Sequence, residues 1–103
     1  MSAVIAIRSE LEQRGDDFGR ELAAALVLAG ERAGRDRGLM REMTAVAANE
    51  IRKAVAWLRE GEIPGKLIAD YERACRKGFE AVLHAGMQSW DAEVSADGEQ
   101  RAA

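Results

Sequence analysis

From Pro64 to Val94 the large side chains keep helical spacing without interruption. They fall at Leu67/Ile68, Tyr71, Cys75, Phe79, Val82/Leu83, Met87, Trp90 and Val94. Steps of three and four put side chains on one side of a helix. Small residues interleave at Ala74, Gly78, Ala81, Ala85 and Gly86, where a second backbone can come close. A long helix with one apolar side needs a cover. This stretch therefore predicts a docking surface for the rest of the chain or for another copy of it.

The composition agrees with a helical chain. Alanine, arginine, glutamate and leucine are plentiful, and there is one proline and little aromatic residue content. All four are good helix formers, whereas strand formers are few. A chain of 103 residues is the usual size of one domain. The expectation is an all-α fold, with residues 1–94 as a single helical domain and residues 95–103 as a small, polar, frayed tail.

Before the long stretch, Val4, Ile7 and Leu11 predict helix from about residue 3. Ser9 and Glu12 also form a capping box, which would leave residues 4–7 as an extended arm. Gly15, followed by Asp16 and Asp17, predicts a kink at which the helix either restarts or runs through. The Arg14-Gly15-Asp16 triplet matches an adhesion tripeptide only by coincidence. Between Phe18 and Ala29 the pattern is strongly helical, and Val27 and Leu28 widen the apolar face, so burial on more than one side is expected.

Gly30, Gly34 and Gly38 place the first connection between residues 30 and 38. A second helix is expected from about Leu39 to Glu60, with Asp36 as N-cap and the stripe Met40, Met43, Ala47, Ile51, Ala54/Val55 and Leu58. Gly61 is placed for a left-handed C-terminal residue and Pro64 for a stop. The short turn at residues 62–65 makes the second and third helices antiparallel neighbours. The predicted architecture is an antiparallel three-helix array, or four if Gly15 breaks the first helix, with a long hairpin formed by the last two.

Few residues suggest catalysis. His84 is the single histidine, with Glu80 and Gln88 four residues to either side. Zinc needs three or four ligands, and Cys75 lies about half a turn away round the helix. Cys75 has no base beside it and reads as a small buried side chain. The carboxylate clusters alternate with arginines and lysines, as on a solvated surface. No phosphate-cradling glycine motif is present. The expectation is no catalytic residue, no metal and no cofactor.

Two contact regions remain. Trp57 is offset from the stripe of the second helix and, with Tyr71, Gly78, Phe79 and Trp90, is the candidate for partner binding. Arg32, Arg35, Arg37 and Arg41 are the candidate anion contact, although Glu31, Asp36 and Glu42 nearly neutralise them. A net charge of −3 disfavours nonspecific nucleic-acid binding without excluding a local site. One cysteine fits a reducing cytoplasm, and the apolar run from Leu22 to Gly30 is about half of a bilayer span. The reading is a soluble, cytoplasmic, non-enzymatic interaction or assembly protein, self-associating and able to meet a larger protein partner. The alternative is a small nucleic-acid-associated regulator that contacts phosphates through Arg32 to Arg41.

Overall fold

The computed structural model describes the backbone over residues 2–102 and side chains over residues 7–93. Three helices pack together: α1 (Ser2–Arg32), α2 (Arg37–Glu60) and α3 (Gly65–Ala102). No strand occurs among the described residues. The assembly measures 63 × 26 × 16 Å. That length matches a 38-residue helix, which spans roughly 57 Å at a rise of about 1.5 Å per residue. α3 continues as helix through residue 102, past Val94, after which the frayed tail is expected; the side chains from residue 94 onward lie outside the described ones.

α1 does not break at Gly15, and Ser9 lies inside it, so the capping-box start and the four-helix variant are both set aside. Its end is a Schellman turn. Gly34 takes a left-handed φ of 75°, the Arg35 N–H donates to the Gly30 carbonyl at 2.7 Å, and the Gly34 N–H donates to Glu31 at 3.2 Å. Gly30 and Gly38 therefore sit inside helices, and the connection shrinks to residues 33–36. Asp36 caps α2 as expected, its carboxylate accepting from the Leu39 N–H at 3.0 Å.

The other end of α2 corrects the expectation. Gly61 has φ −83°, and the left-handed residue is Glu62, at φ 59°. The Gly61 N–H closes a tight last turn on the Leu58 carbonyl at 3.2 Å, which delays the reversal by one residue. A Cβ on Gly61 would meet only Leu58 O, at an ordinary 3.5 Å. Gly61→Ala is thus expected to stabilise the protein by about 0.4–1 kcal/mol, because it restricts the unfolded chain without straining the folded one. A left-handed Gly61 would give the opposite sign in a denaturant melt.

The closest pairing is α1 on α3. Its contacts run in step: Gly15 against Tyr71 and Ala74, Gly19 against Cys75, Val27 against Gly86, Gly30 against Trp90. The two helices therefore point the same way. A Cβ on Gly15 would lie 2.6 Å from the Tyr71 carbonyl oxygen, and one on Gly19 would lie 2.0 Å from that of Cys75. Gly78 returns the contact from α3, where an added Cβ would lie 2.8 Å from the Asp16 carbonyl oxygen. Gly15, Gly19 and the fully buried Ala23 recur every four residues and let the backbones meet. The continuity of α1 follows from this: the glycine that weakens the helix locally is needed for the contact.

α2 lies over the pair and closes two apolar clusters. Towards the 33–36 connection, Met40 and Ala47 pack with Ala23, Leu26, Phe79 and Trp90. Towards the Pro64 turn, Ile51, Val55 and Leu58 pack with Ile68, Tyr71 and Cys75. Leu22 touches both clusters. With only two neighbours, α1 keeps one side open. Leu28 is accordingly 48% exposed, not buried on a second side as its hydrophobicity suggested.

Candidate interaction surface

Four of the five candidate partner residues are occupied within the chain. Tyr71, Phe79 and Trp90 belong to the core clusters, and Gly78 faces α1. Of the small-residue stripe of α3, Ala74, Gly78 and Gly86 thus meet α1 of the same chain, while Ala81 and Ala85 are exposed. Trp57 behaves differently. It is 72% exposed on α2, the most exposed of the large apolar side chains among the described residues, followed by Val46 at 62%. The periodicity left Trp57 between core and surface, and the structure puts it on the surface.

Val46 was not singled out from the sequence. The signal for it was its spacing: it lies eleven residues before Trp57, and eleven residues complete about three helical turns. Between the two, on the same face, stand Glu50 and Lys53, whose side chains pair at 3.1 Å. This strip has an apolar residue at each end and a charge pair in the middle.

Two of the four arginines of the cluster are committed to α3. Arg35 pairs with Glu93, and Arg37 pairs with Asp91 at 2.8 Å. The Arg35 guanidinium also lies 5.5 Å from the centre of the Trp90 ring, and the indole N–H of Trp90 donates to Glu31 at 3.1 Å. Both ion pairs are well exposed, so each is worth about 0–1 kcal/mol. Their effect is to place carboxylates where a phosphate would have to bind. Arg32 and Arg41 are exposed and have no ion-pair partner among the described residues.

Cys75 is fully buried and Tyr71 is nearly so. Burial pushes the Cys75 thiol up from its ordinary 9.0, against the opposing effect of its contact with Tyr71. Burial first, and the neighbouring Cys75 second, push the Tyr71 hydroxyl up to about 12. A raised thiol is a poor nucleophile at neutral pH. Both groups are held neutral in the fold and ionise more readily once unfolded. Their contribution to stability is intact below pH 9 and is lost as pH rises through the folded values towards 12. Thermal melts should therefore show a falling alkaline limb from about pH 9 that Tyr71→Phe makes shallower.

His84 is exposed, and no group of three His, Cys, Asp or Glu side chains that could hold a metal occurs among the described residues. Asp70, a buried carboxylate, is held by cations from two helices. Arg8 of α1 reaches its Oδ2 at 3.1 Å, off the line of a hydrogen bond, and Arg73 reaches its Oδ1 at 3.4 Å. It joins α1 to α3. An apolar groove bordered by Ile7, Leu11, Ile63, Pro64 and Leu67 lies beside the α2–α3 turn. Its charged rim consists of Glu10 and Arg14, tied together by an ion pair at 2.7 Å, and of Glu62.

Comparison with known proteins adds no identity. No family model matches the chain, and no curated protein or solved structure does so either. No helix among the described residues is long and apolar enough to cross a membrane. The functional reading therefore rests on the chain's own surface.

Proposed function

We propose that this chain is a non-enzymatic helical interaction and assembly protein that associates with itself through an exposed face. Its architecture in this reading is the antiparallel three-helix array, with α2 returning along the pair formed by α1 and α3. The observation that carries the proposal is Trp57. A tryptophan exposed over most of its surface forgoes a large share of the roughly 150–250 Å² of burial that aromatic side chains provide. Contact with a partner recovers that area, and tryptophan is among the residues that contribute most to interfaces. The inert, buried Cys75 and the surface position of His84 fit a protein that works by contact.

The alternative, phosphate contact through Arg32, Arg35, Arg37 and Arg41, is weakened by the pairing of Arg35 with Glu93 and of Arg37 with Asp91. Only Arg32 and Arg41 would meet an anion without first releasing a carboxylate. The test of the main proposal is the solution mass, followed by light scattering over a concentration series. Wild type should assemble as concentration rises, and Trp57→Ala should remain a folded monomer over the same range. A wild type that stays monomeric up to millimolar concentration would remove the self-association reading.

A further inference from the structure

We infer that the occupant of the exposed α2 face is the same face of a second copy, related by a two-fold axis that crosses α2 between Ile51 and Arg52. This rests on the self-association reading and specifies its geometry. Val46, Glu50, Lys53 and Trp57 follow one another in steps of four, three and four, within about 60° of one another round the helix. Their side chains are all accessible: Val46 and Trp57 are largely exposed, Glu50 is 44% exposed and Lys53 is 66% exposed.

The order of these residues is what selects the partner. The midpoint between Val46 and Trp57 and the midpoint between Glu50 and Lys53 are the same point on the helix. When a second α2 is laid antiparallel over the first, Val46 therefore meets Trp57 of the other copy at both ends. In the middle, Glu50 meets Lys53 of the other copy, twice. A two-fold interface requires a patch complementary to itself, and this strip is complementary in both shape class and charge. A parallel arrangement would instead set Glu50 on Glu50 and Lys53 on Lys53.

The central charges fix the orientation, and the apolar ends supply most of the affinity. The strip spans only about 16 Å, so the contact is smaller than a standard interface and the dimer is expected to be readily reversible. Neither Glu50 nor Lys53 supports the core, so charge reversal at either leaves the fold intact.

The experiment is to measure dimerisation by analytical ultracentrifugation for wild type, Glu50→Lys, Lys53→Glu and an equimolar mixture of the two variants. Each variant alone should dimerise about tenfold more weakly than wild type, because each places like charges across the axis. The mixture should recover wild-type strength, since a chain with lysine at both positions faces a chain with glutamate at both. If wild type and both variants dimerise equally, or the mixture is no stronger than its components, the two-fold α2 interface is wrong while self-association stands. If wild type does not dimerise at all, both the interface and the reading beneath it fail.

Discussion

Gly19→Ala will lower the melting temperature by about 4–16 °C, the equivalent of a net loss of about 1–2 kcal/mol, although alanine is the better helix former. The added methyl group would sit 2.0 Å from the carbonyl oxygen of Cys75 and 2.8 Å from its carbonyl carbon. Both are backbone atoms, so no rotamer change relieves the clash. α1 and α3 would have to separate by more than an ångström, loosening dispersion contacts along their whole shared length. Overpacking of this kind typically costs about 1–3 kcal/mol and occasionally more. The propensity gain of about 1 kcal/mol offsets only part of it. Gly61→Ala is the control: it is the same chemical change, made where nothing crowds the new methyl group, and it has the opposite expected sign. A Gly19→Ala protein as stable as wild type would mean that α1 and α3 are not in backbone contact.

Trp90→Ala should cost about 3–5 kcal/mol, the range for deleting a large buried aromatic side chain. The ring is only 3% exposed and fills the space between Gly30 of α1 and Met40 of α2. Its loss opens a cavity at the end of the bundle and leaves Glu31 and Arg35 without the group they both touch. Trp90→Phe keeps most of the volume and gives up the indole donor, so it should cost about 1 kcal/mol, the worth of one hydrogen bond. Denaturant melts of the two variants separate these effects. With total stabilities of about 5–15 kcal/mol for a domain, the alanine variant approaches the limit of what such a chain tolerates.

What the sequence made legible were the features decided within a few residues. Asp36 reads as a cap because its carboxylate needs only the Leu39 N–H three positions on. Pro64 marks the start of α3, where its carbonyl accepts from the Leu67 and Ile68 N–H groups and its ring restricts the residue before it. The core stripe of α2 follows from periodicity, and Met40, Ala47, Ile51, Val55 and Leu58 are all buried. Less legible was anything set by another helix. Gly15 looks like a weak point in isolation and becomes a contact point once Tyr71 lies against it. The stripe of α3 demanded a cover, but small residues accept a helix of the same chain as readily as one from another. Gly19 went unremarked because its role depends on Cys75, far along the chain. Trp57 stood at the edge of the apolar arc of α2, where the angle alone does not decide between core and solvent.

The measurement that tests the central claim most directly is acrylamide quenching of tryptophan fluorescence in wild type across a dilution series. The protein has two tryptophans, Trp90 shielded in the core and Trp57 exposed on α2. In dilute solution one component should quench readily and the other poorly. As concentration rises and α2 faces meet, the accessible component should become protected and its emission should shift to the blue. An accessible component that stays fully quenchable at every concentration would contradict the account, because Trp57 would then remain in water and the face that carries it would have no second copy upon it.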